Sequence, residues 1–264
     1  MIFINLFIFF ILGTIIGSYI NVVVLRYKTG RSSVSGRSQC FSCSKTLNWY
    51  ELIPIFSFLF LKGKCLGCDS KISPQYIIVE LITGFIYLGI TWKIGFSAIL
   101  PLYLFAASVL IAISIYDFKH KIIPNIMVFV FDLLVLIILF VSHGFSASFL
   151  MPGLLDLLVG PILFCFFGLL WLVSSGKWMG LGDAKLALGV GWLLGFSGGI
   201  MAIMLAFWIG AVWGLAIIGL QSLKVSNLGI SIKSEIPFAP FIILGLFLQF
   251  FTGWNLLTII NILS

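Results

Sequence analysis

Residues 2–25 read IFINLFIFFILGTIIGSYINVVVL, a stretch that contains no charged side chain and is followed directly by Arg26. About 20 apolar residues in a helix are enough to cross the ~30 Å hydrocarbon core of a bilayer. The stretch differs from a secretory signal peptide because it is longer and because the basic residues follow it instead of preceding it. We therefore predict a retained first membrane helix whose N-terminus lies outside the cell.

The composition of the whole chain also indicates a membrane protein. Of its 264 residues, 61% are hydrophobic and 9% are charged, whereas soluble domains are about 45–50% apolar and about 25% charged. A chain of this size has too much exterior to hide such an apolar excess in one core. These proportions exclude a soluble globular enzyme, a disordered chain and a disulfide-stapled secreted module.

Further apolar stretches follow the first, and most are close to the length of a membrane helix. We predict an all-α polytopic membrane protein with about eight transmembrane helices. The stretch 184–196 is the shortest and is rich in glycine, so its ends are the hardest to place. The predicted spans are 2–25, 76–92, 98–116, 125–142, 153–173, 184–196, 199–220 and 238–260.

The lysines and arginines determine the predicted orientation. With eight helices, 14 of the 15 basic residues fall on one side of the membrane, and Lys93 alone falls on the other. Because cytoplasmic loops carry the excess of positive charge, both termini are predicted outside and loop 26–75 is predicted in the cytoplasm. Topology and contact with anionic lipid together account for the excess of positive charge, so we predict no nucleic-acid partner. The 14 residues are Arg26, Lys28, Arg31, Arg37, Lys45, Lys62, Lys64, Lys71, Lys119, Lys121, Lys177, Lys185, Lys224 and Lys233.

Loop 26–75 contains two CxxC pairs, Cys40 with Cys43 and Cys65 with Cys68, and 21 residues lie between the pairs. Four thiolates on two tight turns can close a tetrahedron around Zn²⁺ and leave no open position, which predicts a structural metal. Disulfides are unfavourable in the cytoplasm; a redox-active CxxC pair and simple free thiols are the alternatives. The fifth cysteine, Cys165, is predicted to be a packing residue within a helix.

Five of the eight acidic residues lie in or at the edge of predicted spans, where an ionised carboxylate is costly and marks a candidate functional site. Asp117 ends the third span shortly before Pro124, and Asp183 begins the sixth after two glycines that permit a close approach of another backbone. Both aspartates are predicted at the cytoplasmic ends of their helices, so they can face one another at equal depth. The five residues are Glu80, Asp117, Asp132, Asp156 and Asp183.

Two aspartates in contact in a low-dielectric setting cannot both ionise and therefore share a proton. One can then take a proton from water while the other donates to a scissile carbonyl, which is aspartic-protease chemistry. The alternative is that each aspartate caps a helix or pairs with a lysine close to it in sequence. The lysines in question are Lys119, Lys121 and Lys185.

Six ordered motifs make the whole chain resemble the type IV prepilin peptidases, a family of membrane leader peptidases and N-methyltransferases. Two positions depart from the family pattern: Asn125 stands where many members have Asp, and Ala239 stands where Gly is usual. Besides the CxxC pairs, the motifs are 17–26 (GSYINVVVLR), 48–54 (NWYELIP), 79–84 (VELITG), 117–125 (DFKHKIIPN), 180–183 (GLGD) and 236–241 (IPFAPF).

The resemblance implies that Asp117 and Asp183 are the catalytic pair, with Glu80, Gly180, Gly182 and Lys185 as candidate substrate or support residues. It implies type IV prepilin or pseudopilin substrates, cut after a Gly at the cytoplasmic face of the bacterial inner membrane. It also implies that S-adenosylmethionine methylates the new N-terminal residue.

The predicted spans and the tetracysteine loop set the predicted domains, and the resemblance adds the methyltransferase label. Residues 1–25 form the first helix, 26–75 form the tetracysteine and candidate methyltransferase region, and 76–264 form a seven-helix peptidase domain. No GxGxxG motif follows a strand, so the methyl donor rests on the resemblance alone.

The other acidic residues have different predicted roles. Glu80 is predicted either to contact substrate or to anchor loop 26–75, Asp132 to be buried and hydrogen-bonded, and Asp156 to be structural. A competing class of protein is a transporter or channel that uses intramembrane acids as a proton or cation path, which Asp132 favours. A third is a methyltransferase that has lost its protease half, which the presence of both aspartates opposes.

Overall fold

A computed structural model describes residues 2–30, 32–143, 152–222 and 237–254. In these ranges the chain is all-α, as predicted, with two isolated β-bridges and no strand. Lys224, Lys233 and the last residues of the predicted span 238–260 lie outside the described residues, as does Arg31. The helices are α1 Ile2–Arg26, α2 Phe56–Phe60, α3 Gln75–Ile94, α4 Leu100–His120, α5 Asn125–His143, α6 Pro152–Ser174, α7 Leu181–Ser222 and α8 Ala239–Thr252, with a 3₁₀ turn at Trp49–Leu52.

Six of these helices, α1 and α3 to α7, are long and apolar enough to cross a membrane. Their outward faces are apolar: Ile4 is 65% exposed, Phe85 61% and Leu172 66%. Large apolar side chains that point away from the protein on successive helices need lipid around them. The chain is therefore an integral membrane protein.

Helix α7 is two membrane segments, as the separate predicted spans 184–196 and 199–220 require. Gly195 breaks it with φ 68° and ψ −174°, a conformation that favours glycine. A Cβ on Gly199 would lie 3.1 Å from the Cα of Gly191, although eight residues of straight helix would separate the two by about 12 Å. The chain therefore reverses direction at Gly195 and forms a helical hairpin.

The chain divides into two compact units, Met1–Ala112 and Ile113–Ser264. In the first unit α1 and α3 run antiparallel and touch through glycines. A Cβ on Gly13 would lie 2.8 Å from the Cα of Gly84, and one on Gly17 would lie 2.9 Å from the Cα of Glu80. The GxxxG pattern of α1 thus lets the two backbones approach closely.

The second unit is built around the hairpin of α7. Gly191 faces the backbone of Gly160 on α6, where a Cβ would lie 2.9 Å from its Cα. Near the turn, Asp156 accepts a hydrogen bond from the backbone N–H of Phe196 at 3.2 Å. This bond satisfies a free N–H group at the start of the second segment, as expected for a structural aspartate.

Candidate active site and tetracysteine cluster

Asp117 lies in the last turn of α4, and its side chain is 4% exposed. It accepts a hydrogen bond from the backbone N–H of Ala239, the first residue of α8. The free N–H groups at a helix N-terminus favour a negative charge placed against them. The start of α8 at Ala239 therefore reaches Asp117 through its backbone, a contact that the sequence does not reveal.

Asp183 lies in the first turn of α7 and is 6% exposed. Its Oδ2 accepts the backbone N–H of Gly180 at 3.1 Å, so the loop before the helix folds back onto the carboxylate. Its Oδ1 is buried and has no hydrogen-bond partner among the described residues. Buried polar atoms are almost always paired, so this oxygen is the atom of the site that still requires a proton or a donor.

The two aspartates are close enough that the charge of Asp117 acts on Asp183. In the part of the chain that the structure describes, neither forms an ion pair with a lysine. Lys185 instead donates to Oδ1 of Asn125 at 2.9 Å. Neutralisation by a lysine is therefore not seen among the described residues, whereas each aspartate does accept a backbone N–H at the start of a helix, as the capping alternative expects.

Contacts between α5 and α7 bring the ends of the helices to one level. Gly182 faces Ile123, where a Cβ would lie 2.9 Å from the Ile123 Cβ, and the bond from Lys185 to Asn125 follows one turn further along. The chain has only Lys121 to Pro124 to cross from α4 to α5. Asp117 and Asp183 therefore lie at the same end of the second unit.

Asp132 lies deeper than this pair, on α5. Its Oδ1 lies against Gly189 on α7 and is buried without a hydrogen-bond partner among the described residues. Helix α7 gives a common scale for the depth of three aspartates: Asp183 is part of the helix, Asp132 faces Gly189 and Asp156 faces Gly195. These levels are six residues apart, which is about 9 Å and too far for direct hydrogen bonds between the carboxylates.

Glu80 binds the loop between α1 and α3. Its Oε2 accepts the backbone N–H of Ile55 at 2.8 Å, and its Cα faces Gly17 on α1. The side chain is 6% exposed. These contacts favour loop anchoring over substrate contact.

A second buried acid, Glu51, holds the same loop from within. It forms an ion pair with Lys45 at 3.1 Å and accepts the backbone N–H of Asn48 at 2.8 Å. The Asn48 N–H, followed by the Lys45 ammonium, holds the pKa of Glu51 below its usual range. Sequence reasoning did not single out Glu51, although it lies within the 48–54 motif.

The four predicted cysteines form one cluster, in which all four Sγ atoms lie within 4.8 Å of one another. The Sγ atoms of Cys40 and Cys68 are 3.9 Å apart. Sulfurs at ~2.3 Å from a tetrahedral metal ion are about 3.8 Å apart, so the cluster fits an ion at its centre. It could therefore hold a metal ion, and the described cysteine thiols are free of disulfides.

The two halves of the cluster have the same local structure. In each, the first cysteine donates its N–H to a carbonyl five residues later and accepts an N–H from four residues later, at Ser44 and at Asp69. Backbone N–H groups of Cys43 and Ser42 lower the pKa of the Cys40 thiol to about 6, which favours the thiolate that a metal requires. The Lys45 N–H also lowers the pKa of the Cys43 thiol, but contact with Cys68 and burial outweigh it and raise that pKa to about 11. By contrast, Cys165 is exposed on α6, so its predicted packing role is wrong; the residue is apolar enough to face lipid.

Two family models match most of the chain. The family model of the bacterial peptidase A24 N-terminal domain matches residues 11–94, and that of the type IV leader peptidase family matches residues 104–215. The second of these matches includes both Asp117 and Asp183. No solved structure matches it.

Several curated relatives carry the name prepilin leader peptidase/N-methyltransferase. The one from Bacillus subtilis (strain 168) is 31% identical over 95% of this chain and 96% of its own length. Those from Stutzerimonas stutzeri and Pseudomonas aeruginosa are 29% and 28% identical, each over 88% of this chain and 85% of its own length. This chain belongs to the type IV leader peptidase family.

Proposed function

We propose that the protein is a membrane aspartic endopeptidase that removes the short basic leader from type IV prepilins or pseudopilins. The relatives are named for this peptidase activity and for N-methyltransferase activity. The observation that carries the assignment to residues is the pair Asp117 and Asp183, two buried carboxylates that interact at the same end of the second unit.

One carboxylate acts as the general base of hydrolysis and the other acts as the general acid. The ionised one takes a proton from water, which attacks the scissile carbonyl carbon, and the protonated one donates to the carbonyl oxygen. Ala239 and Gly180 hold one oxygen of each carboxylate through backbone N–H groups. The remaining oxygen of Asp183, which has no partner among the described residues, is suited to carry the shared proton.

The charge pattern supports a site at the cytoplasmic face, with both termini outside. Loop 26–75 and the segments that flank Asp117 and Asp183 carry 12 of the 15 basic residues. A substrate whose basic leader stays in the cytoplasm and whose apolar segment enters the bilayer presents its scissile bond at that level. The leader would then be cut after a Gly.

We also propose that Cys40, Cys43, Cys65 and Cys68 hold a structural Zn²⁺ and that loop 26–75 with its flanking helices contains the methyl-transfer site. A tetrathiolate zinc leaves no open position for substrate, so its contribution is to fold the loop. S-adenosylmethionine supplies the methyl group when bound. The loop's own residues, including Glu51 and Glu80, fix its backbone to the helices of the first unit.

A proton or cation pathway is the weaker reading. The carboxylates near α7 lie about 9 Å apart along the helix, which leaves gaps that direct proton transfer cannot cross. Asp117 and Asp183 interact with each other at one end of the second unit. This arrangement suits hydrolysis at a fixed depth better than conduction across the bilayer.

Reconstitution tests the proposed function. We expect the purified protein in lipid nanodiscs to cut a synthetic prepilin N-terminal segment after the Gly that ends its leader. Cleavage should not require S-adenosylmethionine, whereas methylation of the new N-terminus should. Mass spectrometry of the products distinguishes the two steps, and an uncut segment in the presence of metal-loaded protein would contradict the proposal.

The two glycines beside Asp183 should differ in their tolerance of alanine. A Cβ on Gly182 would lie 2.9 Å from the Cβ of Ile123, whereas one on Gly180 would meet nothing closer than Asp183 Oδ2 at 3.6 Å. Overpacking of this kind costs about 1–3 kcal/mol. We therefore expect Gly182→Ala to lower both the melting temperature and the cleavage rate, and Gly180→Ala to change neither greatly.

Thermal unfolding in detergent and the nanodisc assay measure the two effects. Equal behaviour of the two variants would show that the contact between Gly182 and Ile123 does not position Asp183.

A further inference from the structure

Helix α2 has an apolar face that no described part of the protein covers. Phe56, Leu59 and Phe60 recur at the spacing of one helix face, and they are 60%, 60% and 82% exposed. The preceding 3₁₀ turn adds Trp49, which is 77% exposed. We propose that residues 49–64 are a membrane-interface anchor, in which this face enters the lipid of the bilayer that the protein spans.

The depth of the segment carries the proposal. Ile55, directly before α2, donates its backbone N–H to Glu80 at 2.8 Å. Glu80 is five residues into the membrane-spanning helix α3, which begins at Gln75, and this places it about 8 Å along that helix. The bond therefore holds the start of α2 deeper in the membrane than Gln75, the first residue of α3.

The partner helix gives a greater depth for the same level. Glu80 faces Gly17 on α1, and Gly17 precedes the last residue of that helix, Arg26, by nine residues or about 13 Å. Interfacial helices bury their apolar faces about 5–10 Å into the boundary between headgroups and acyl chains. The apolar face of α2 thus begins at the depth where lipid can cover it.

The polar residues of the segment fit the same position. Lys62 and Lys64 follow α2 and are exposed, where they can contact anionic headgroups. Trp49 and Tyr50 are of the two residue types that concentrate at membrane interfaces. Phe58 turns the other way and packs over Gly63, where a Cβ would lie 3.1 Å from its ring, so the helix has an inner and an outer face.

The anchor has a consequence for the loop that follows it. Cys65 comes directly after Lys64, and Cys68 follows three residues later. The anchor therefore ties the second half of the cysteine cluster to the membrane surface through the chain. Lipid contact and the bond to Glu80 together fix the height of the cluster above the bilayer.

Fluorescence quenching at single sites tests the proposal on the full chain in nanodiscs of phosphatidylethanolamine and phosphatidylglycerol. A fluorescent amino acid replaces Phe60, and two further sites serve as controls. Phe85, 61% exposed in the middle of α3, reports lipid. Val34, 87% exposed and next to the carbonyls that bind Arg26 beyond the end of α1, reports water.

We expect position 60 to be quenched by lipids brominated near the headgroup end of the acyl chain, and we expect positions 60 and 85 both to be protected from aqueous iodide. Position 34 should show the reverse. Quenching of position 60 by iodide to the extent seen at position 34 would overturn the proposal. Protection of position 60 from both quenchers would also overturn it, because a protein partner or a second copy would then cover the face.

Discussion

Asp117→Asn and Asp183→Asn should each abolish prepilin cleavage while the protein stays folded in the membrane. The amide keeps the size of the side chain but cannot exchange a proton at the site, and loss of a positioned acid or base costs about 10²–10⁴-fold in rate. Because the two carboxylates act as one unit, the double variant should be little worse than either single variant. Cleavage of a prepilin segment in nanodiscs measures the effect.

Asp132→Asn is the matched control. Asp132 is also an aspartate within a membrane helix, but it lies about 9 Å from the pair along α7. We expect this variant to cleave at close to the normal rate. Full processing by an Asp117 or Asp183 variant would remove the pair from the mechanism, and loss of activity in Asp132→Asn would favour the proton pathway instead.

Loss of the cysteine cluster should have the second large effect. The protein should carry about one zinc per chain, and the Cys40→Ser/Cys68→Ser variant should carry none. Zinc sites of this type bind with about 10–16 kcal/mol of apparent free energy, much of which folds the surrounding chain. Loop 26–75 should therefore become sensitive to protease, while α1 and α3 remain packed through Gly13 and Gly17.

Cys165→Ser controls for the loss of a thiol as such, because Cys165 lies on α6 outside the cluster. It should keep its zinc and a protected loop. Elemental analysis of the purified protein and limited proteolysis of membranes measure both properties. A metal-free wild-type protein with a protected loop would refute the structural zinc.

The helices could be predicted because a membrane span leaves a simple signal in the sequence. Uncharged stretches gave α1 and α3 to α6 to within a few residues, and the short, glycine-rich span 184–196 is a real segment that ends at the turn of Gly195. The turn itself left no signal apart from an abundance of glycine. Its stabilising contact, from Phe196 to Asp156, joins residues 40 positions apart.

The site was predicted from residue types and motifs, and its contacts were not. Carboxylates at helix ends and paired cysteines are conspicuous in a chain with so few charges, whereas backbone donors are invisible in a sequence. The N–H of Ala239 on Asp117 and the N–H of Ile55 on Glu80 depend on tertiary packing alone. The domain boundaries and the methyl-donor site stay predictions for the same reason.

The most direct test of the central claim is mass spectrometry of a pilin's N-terminus in cells that lack any other prepilin peptidase. With the wild-type protein, the account predicts a pilin that begins directly after the leader Gly and carries one N-terminal methyl group. With Asp183→Asn, it predicts a pilin that keeps its entire leader. Leader removal by the Asp183→Asn protein, or an intact leader with the wild-type protein, would contradict the account.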